Sequence, residues 1–235
     1  MAGKSSRFMS RGYEIPKFLI NVKGSSLLQH SVESLPLEVA DGLIFILLKE
    51  HEFLYDVSSF IKKNIFHPNI DFIFLEKTTD GQAETVFMAK KLLKNGEEIA
   101  VFNIDTKFES KTLKNVLIDK NKKKDGILGA FKSPNEEDHW SFAKIGSNGL
   151  VLQTAEKEKI SDYALTGFYH FSNSKLFFEI CDRCIRHEIL TNGELYIAPM
   201  YNDLISLGNK FVVDLVDKFI PLGTPDEVGR YECET

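Results

Sequence analysis

Short apolar runs alternate with stretches of helical apolar spacing along the whole chain, and no other feature constrains its fold as much. Consecutive strands that are separated by helices pair in parallel, because a parallel pair needs a long crossover connection. The sequence therefore predicts an α/β fold with a mostly parallel sheet flanked by helices. The predicted strands are 43–49, 71–75, 99–104, 127–131, 141–145, 151–154, 164–171 and 211–216, and the predicted helices are 26–34, 52–65, 81–94, 110–121, 173–187 and 198–207.

The composition indicates an ordinary soluble protein. The 235 residues contain no internal repeat and no Pro/Gly-rich linker, which predicts one domain over 1–235. A net charge of −5 argues against nucleic acid and anionic membranes as partners. No apolar run reaches the ~20 residues that span a bilayer, and the first residues lack the apolar core of a signal peptide. We expect a cytoplasmic protein with no membrane partner.

The first residues have the composition of a phosphate-binding loop. Small residues let the backbone N–H groups approach phosphate oxygens, and Arg7 and Lys17 add a planar and a mobile cation. The residues predicted for this loop are Ala2, Gly3, Lys4, Ser5 and Ser6. Two alternatives are a flexible terminal tail and the end of a P-loop of the form G-x-x-x-x-G-K-S.

An aspartate stands at the end of a buried strand in the segment Ile-Ala-Val-Phe-Asn-Ile-Asp, which ends at Asp105. A carboxylate at such a position is costly unless a cation pairs with it. Mg²⁺ is a suitable partner, because it binds few protein oxygens together with phosphate oxygens and water. The alternative is that Asp105 only starts a turn or caps the region near Ser110.

Six further segments follow this opening in a fixed order. They are GQAETV at 81–86, FNID at 102–105, AEK at 155–157, TGFYHF at 166–171, GELYIAPMYNDLI at 193–205 and LGTPDEV at 222–228. With AGKSSRF and Pro16-Lys17, these segments resemble the signature of the sugar-phosphate nucleotidylyltransferases, or pyrophosphorylases. The resemblance implies a Rossmann-like fold and the Mg²⁺-dependent transfer of a nucleotidyl group from an NTP to a phosphorylated small molecule.

The resemblance also implies a role for each matching residue. Arg7 steadies the β- and γ-phosphates, Lys17 contacts the α-phosphate region, and Asp105 binds the metal. Further implied nucleotide-binding residues are Gly81, Gln82, Ala83, Glu84 and Asn103. The implied acceptor-binding residues are Lys144, Glu156, Lys157, Gly167, Glu194 and Asn202.

One residue bears on the choice of base. An ionised Glu84 only accepts hydrogen bonds, so it suits a base that presents an amino group, as glutamate accepts from N4 of cytosine in DNA grooves. This favours CTP, with UTP and dTTP as alternatives. Glu84 can equally be an acidic residue in the first turn of a helix.

The sequence departs from the family pattern at two places. Met1 immediately precedes Ala2, so the strand that leads into the glycine-rich loop is missing, and we expect a truncated or misassigned start. Near the C-terminus, Pro221 and Leu222 stand where many members carry a second metal-binding aspartate. Asp226 lies beyond the glycine and is not assigned as a ligand.

We expect the acceptor to be a sugar 1-phosphate or another precursor of surface or capsular polysaccharide, such as a phosphorylated amino-acid derivative or choline phosphate. Two other functions stay open at this point. One is a glycosyltransferase that uses an NDP-sugar, because Asn-Ile-Asp partly resembles its metal motif. The other is a non-catalytic nucleotide-sensing subunit. Homo-oligomer formation is also expected.

Overall fold

The computed structural model describes residues 1, 3, 5–94, 96–133 and 139–234. In this part of the chain the strands are β1 (Asn21–Val22), β2 (Ser25–Ser26), β3 (Leu43–Leu48), β4 (Ile70–Leu75), β5 (Ile99–Val101), β6 (Thr106–Glu109), β7 (Gly126–Lys132), β8 (Ser141–Ile145), β9 (Val151–Glu156), β10 (Tyr163–Phe171), β11 (Phe211–Leu215) and β12 (Lys218–Pro221). The helices are α1 (Ser6–Met9), α2 (Leu27–Val32), α3 (Lys49–Tyr55), α4 (Val57–Asn64), α5 (Gln82–Phe87), α6 (Leu113–Ile118), α7 (Lys120–Lys123), α8 (Ser174–Arg186), α9 (Met200–Ser206) and α10 (Pro225–Cys233). Short 3₁₀ turns cover Lys17–Leu19, Leu37–Val39 and Met88–Lys91.

The α/β class is confirmed, and a strand occurs at each predicted position. The chain divides into two compact units. Unit 1 comprises Met1–Thr78, Asn103–Glu109 and Lys218–Thr235, and unit 2 comprises Thr79–Phe102 and Ser110–Asp217. The assignment of 1–235 to one domain remains a prediction. Within the described residues, no helix has the length and apolar content that a membrane crossing requires.

Unit 1 contains three small strand pairs. β3 and β4 pair in parallel from Leu43 opposite Ile70 to Leu48 opposite Leu75, and β6 and β12 pair antiparallel. β1 and β2 form a short antiparallel hairpin. Two apolar clusters support these pairs. The first is centred on Phe18, Leu28, Leu47, Val57 and Ile61, and the second on Phe8, Ile20, Leu27, Leu222 and Val228.

The helix predicted over 52–65 is in fact two helices, because the chain breaks between α3 and α4. Asp56 adopts the left-handed region with φ +45°, which ends the first helix and redirects the second. Glu52 stabilises the new helix start, since its Oε2 accepts the Ser58 N–H at 2.8 Å and its Oε1 accepts the Ser58 hydroxyl at 2.6 Å. Apolar spacing does not reveal such a break, because the break depends on the backbone conformation of one polar residue, Asp56.

Unit 2 is built on a six-stranded mixed sheet. Its order is β11-β7-β10-β8-β9, with β5 also paired to β10. β11 and β7 are parallel, and the other pairings of this sheet are antiparallel. Hairpin-like returns among β8, β9 and β10 replace helical crossovers, which is why the sheet is mixed rather than mostly parallel.

Aromatic packing fills the core of unit 2. The Phe171 ring stacks on Tyr201 with ring centroids 4.8 Å apart, and Tyr201 meets Phe211 edge to face at 4.7 Å. Cys181 and Cys184 lie buried on α8, and burial raises the pKa of the Cys181 thiol to about 12. They are therefore core residues and not reactive thiols.

A charge cluster in unit 2, in which two buried nitrogen groups share one partly exposed carboxylate, joins α7 to β10. The Lys123 ammonium, whose side chain is only 7% exposed, donates to both Glu98 carboxylate oxygens at 2.6 Å. His170 is 3% exposed, and its Nε2 lies 3.2 Å from Glu98 Oε2. Burial would raise the pKa of Glu98, but hydrogen bonds from Lys123 and His170 lower it below the usual value. Glu98 is thus the common partner of two buried nitrogen groups.

Glu98→Gln is expected to lower the free energy of unfolding by about 3 kcal/mol, because it leaves the Lys123 ammonium buried without its counter-charge. Urea denaturation followed by circular dichroism measures the change. Glu76→Gln is the control, since Glu76 pairs with Lys49 at the surface and that substitution should cost less than about 1 kcal/mol. Equal losses of unfolding free energy in the two variants would show that the burial of Lys123 does not make its pair with Glu98 stronger than a surface ion pair.

Candidate active site

Lys17 and Asp105 form the central ion pair of unit 1. Lys17 opens a 3₁₀ turn directly after the buried Pro16, and its Nζ lies 2.7 Å from Asp105 Oδ2. The two side chains are 21% and 28% exposed, so the pair is mostly shielded from water but still reachable. Ser5 joins the same group, because its Oγ accepts the Lys17 N–H at 3.1 Å. The structure therefore brings three of the predicted phosphate-site residues together.

The charge state of Asp105 follows from this pairing. Burial would raise the pKa of the carboxyl group, but the Lys17 ammonium and the hydrogen bond that it donates lower that pKa below its ordinary value. Asp105 is consequently an ionised carboxylate near neutral pH, which is the form that binds a cation. The prediction that a positive group must compensate this buried carboxylate is met here by Lys17.

A second carboxylate, which sequence reasoning missed, stands near Asp105. The Leu222 N–H donates to the Asp105 carbonyl at 2.8 Å, which places Gly223 beside the aspartate. A Cβ on Gly223 would lie 3.5 Å from Asp105 Oδ2 and 3.5 Å from Glu227 Oε2. The two carboxylates therefore flank the same small residue. The signal was the Thr224-x-x-Glu227 spacing of a helix start, since Thr224 accepts the Glu227 N–H at 3.2 Å.

The remaining predicted residues of unit 1 lie outside this group. Arg7 is exposed on α1 and takes no part in the Lys17–Asp105 pair. Gly3 is also exposed, with nothing within 4 Å of a Cβ placed there. Asp226 forms an exposed ion pair with Arg11 at 3.4 Å, which agrees with leaving it out of the metal ligands. The predictions for Ala2 and Lys4 fall outside the described residues.

In unit 2, the segment predicted to contact the base is held against Leu195. The Ala83 N–H donates to the Leu195 carbonyl at 3.0 Å, and the Leu195 N–H donates to the Asp80 carbonyl at 2.9 Å. A Cβ on Gly81 would come within 2.5 Å of the Leu195 backbone nitrogen and oxygen. Glycine is therefore required at 81 by the protein's own backbone, whatever the nucleotide needs.

Glu84 has a structural role in the same segment. Its Oε2 accepts the Asp80 N–H at 2.6 Å, close to the start of α5. This is the alternative that the sequence left open, a glutamate in the first helical turn. One carboxylate oxygen is used in this way, so the base-contacting role of Glu84, like those of Gln82 and Asn103, stays a prediction.

Glu156 and Lys157 lie at the end of β9, beside β8. Ser141, opposite Glu156 in the sheet, donates its hydroxyl to Glu156 Oε2. Burial raises the pKa of Glu156, although Ser141 and the nearby Lys157 ammonium oppose that rise. Lys157 adopts a left-handed backbone with φ +54°, and its N–H donates to the Trp140 carbonyl at 2.9 Å. The two side chains thus start from a fixed stretch of backbone.

Tyr196 and Glu194 complete this group. Lys157 Nζ donates to Tyr196 Oη at 2.7 Å and lies 4.9 Å from the centre of the ring. That hydrogen bond raises the pKa of Lys157, and the Glu194 carboxylate also raises it. The predicted acceptor residues Glu156, Lys157 and Glu194 are therefore electrostatically coupled neighbours.

Three other predicted acceptor residues have different surroundings. Asn202 on α9 pins β9, because its Oδ1 accepts the Thr154 N–H and its Nδ2 donates to the Thr154 carbonyl, both at 2.8 Å. Gly167 is buried in β10 with φ +85°, where the pairing with β7 shifts register. Lys144 points from β8 as an exposed residue. Their roles toward an acceptor stay predictions. Among the described residues, no three His, Cys, Asp or Glu side chains cluster as metal ligands would.

Several known proteins are similar to this chain in sequence or in structure. Residues 1–195 match the family model described as nucleotidyl transferase. The crystal structure of a nucleoside-diphosphate-sugar pyrophosphorylase from Vibrio cholerae RC9 is 33% identical and has a TM-score of 0.82, with coverage of 100% of this chain and 98% of that chain. The inositol-1-phosphate CTP transferase from T. maritima, 14% identical, shares the fold over 96% of this chain and 88% of its own, with a TM-score of 0.73.

Curated relatives are more distant and longer. The bifunctional protein GlmU of Methanococcus maripaludis strain C5 is 26% identical over 97% of this chain. The match covers 51% of that protein, so the chain spans about half the length of the curated relatives that it matches.

Gly81→Ala is expected to destabilise the protein by at least about 2 kcal/mol, because the new Cβ would overlap the Leu195 backbone at 2.5 Å. Thermal unfolding followed by circular dichroism gives the comparison. Gly229→Ala is the matched control, since nothing lies within 4 Å of a Cβ in that position of α10 and alanine favours a helix. A Gly81→Ala protein as stable as its control would contradict the close approach of Leu195.

Proposed function

Since this chain belongs to the nucleotidyl transferase family, we propose that it transfers a nucleotidyl group from an NTP to a phosphorylated small molecule and releases pyrophosphate. The observation that carries the proposal is the Lys17–Asp105 pair, in which an ammonium and an ionised carboxylate share a partly exposed position next to Ser5. Such a pair offers a cation for phosphate oxygens and a carboxylate for a metal ion.

The reaction needs positioning and charge neutralisation more than covalent help from the protein. A phosphate oxygen of the acceptor attacks the α-phosphorus of the NTP, and the bond from that phosphorus to the bridging oxygen of pyrophosphate breaks. No general base is required, because the attacking phosphate is already ionised near neutral pH. Lys17 offsets negative charge at the α-phosphate, and Arg7, a flexible cation at the surface of α1, follows the β- and γ-phosphates.

Unit 2 supplies the residues for the acceptor and the base. The Lys157 ammonium binds the phosphate of the acceptor. Glu156 and Glu194 accept hydrogen bonds from hydroxyl or ammonium groups of the same acceptor. Residues Gly81 to Glu84 contact the base, with CTP favoured through the second oxygen of Glu84 and with UTP and dTTP as alternatives. A sugar 1-phosphate is the favoured acceptor, in line with the Vibrio cholerae relative. Choline phosphate and phosphorylated amino-acid derivatives of capsular polysaccharide pathways are the other acceptors to test.

The residues of unit 1 fit a divalent metal ion such as Mg²⁺. The donor set is two carboxylates that flank Gly223, and Asp105 already holds a cation, the Lys17 ammonium. Mg²⁺ commonly uses one or two carboxylates together with substrate phosphates and water, so Asp105 with Glu227 suffices. When bound, the ion neutralises charge on the phosphates and on the departing pyrophosphate. We also propose a cytoplasmic location, and a homo-oligomer is the assembly to test.

Pyrophosphate release across four NTPs and a panel of phosphorylated acceptors tests the function. We expect turnover that requires Mg²⁺ and falls at least ~10²-fold in Asp105→Asn, which keeps the shape of the side chain and removes its charge. Asp226→Asn is the control, because Asp226 sits in an exposed ion pair, and its activity should be unchanged. Undiminished activity in Asp105→Asn would remove this carboxylate from the reaction. Release of a nucleoside diphosphate from an NDP-sugar would instead support a glycosyltransferase, and NTP binding without turnover a sensing subunit.

Glu84→Gln tests the choice of base separately. The substitution keeps an oxygen that can accept the Asp80 N–H, so the start of α5 should remain intact. If Glu84 reads the amino group of cytosine, the preference for CTP over UTP in kcat/KM should shrink by about tenfold, since one charged hydrogen bond is lost. An unchanged ranking of the four NTPs, with an unchanged melting temperature, would rule out the cytosine hypothesis.

A further inference from the structure

Lys157 is held by contacts that an exposed lysine does not ordinarily have. Its side chain is exposed, yet the Nζ donates to the hydroxyl of Tyr196 at 2.7 Å and lies 4.9 Å from the centre of the ring. A lysine side chain has high rotamer freedom, and a hydrogen bond to a hydroxyl on a rigid ring removes much of it. The backbone φ of +54° and the hydrogen bond to Trp140 fix the other end of the residue.

Tyr196 is itself rigidly mounted. Its neighbours Leu195 and Ile197 are 3% and 0% exposed, so the backbone on both sides of the tyrosine is anchored in the core of unit 2. Leu195 also exchanges backbone hydrogen bonds with Asp80 and Ala83, at a distance that only glycine at position 81 permits. Tyr196 therefore directly follows Leu195, whose backbone holds residues 80–83 of the segment proposed to contact the base.

The hydroxyl of Tyr196 stays protonated. Burial raises the pKa of Tyr196 and the Glu194 carboxylate adds to that rise, while the Lys157 hydrogen bond opposes it. The neutral hydroxyl accepts a hydrogen bond from the Lys157 ammonium and keeps its own proton, which it can donate in a second hydrogen bond. The ring thus holds the ammonium without neutralising it.

We propose that Tyr196 is a positioning residue that sets where the Lys157 ammonium meets the acceptor phosphate, an inference that rests on the function proposed above. A preorganised ammonium binds the phosphate without first losing rotamer freedom, so the effect of Tyr196 falls on the acceptor and not on the NTP.

Tyr196→Phe removes the hydroxyl and keeps the ring. We expect the KM for the acceptor to rise about tenfold, which corresponds to the loss of one charge-assisted hydrogen bond. The kcat and the KM for the NTP should change less than about twofold. Tyr163→Phe, which removes a hydroxyl from another partly buried tyrosine of unit 2, is the matched control and should leave all three constants unchanged. In a Lys157→Met background, Tyr196→Phe should have no further effect, because the tyrosine acts through the lysine.

A second measurement does not depend on turnover. Titration of the Lys157 side chain by NMR should show a lower pKa in Tyr196→Phe than in the unmodified protein, because the hydrogen bond that raises this pKa is lost. An unchanged acceptor KM with active enzyme would overturn the positioning role and leave the proposed function intact. An unchanged Lys157 titration would overturn the contact itself. Absence of turnover with every NTP and acceptor would defeat the proposed function, and the positioning role with it.

Discussion

The ion pair between Lys17 and Asp105 is the interaction around which unit 1 is arranged. A carboxylate shielded at the start of β6 would be costly if it stood alone, and the ammonium 2.7 Å away removes that cost. The pair also fixes its surroundings. The Lys17 backbone ties to Ser5, and the Asp105 backbone ties to Leu222. The loop that contains Ser5 and the segment that precedes α10 are therefore both anchored to Asp105, the first through Lys17 and the second directly.

Eight of the described strands were predictable because each is a short apolar run with clear boundaries. β1 and β2 were not predicted because each has only two residues. β6 and β12 were not predicted because they are short, partly polar and paired across a long stretch of chain, and no local pattern records such a partner. The break between α3 and α4 was missed for a related reason. It depends on one left-handed aspartate and on a glutamate that caps the following helix.

At the candidate site, sequence and structure agree most where a residue's chemistry allows few roles. Lys17 and Asp105 were predicted and are in contact. Gly81, Glu84 and Asn202 illustrate the opposite case, because glycines, first-turn glutamates and amides serve architecture as readily as binding. In the structure they accommodate Leu195, bond to Asp80 and pin Thr154. Glu227 was not among the predicted residues, because the family signature directs attention to positions 221 and 222, whereas Glu227 belongs to the helix start that Thr224 caps.

The antiparallel pairing of β6 with β12 has a consequence for the order in which the two units can form their strand pairs during synthesis. β12 is the last of the described strands to leave the ribosome. All six strands of the unit 2 sheet are therefore available while β6 of unit 1 still lacks its partner. Gly223 and Glu227 follow β12 in the sequence. A polypeptide released before β12 would therefore carry every strand of the unit 2 sheet but would lack the partner of β6 and the Glu227 carboxylate.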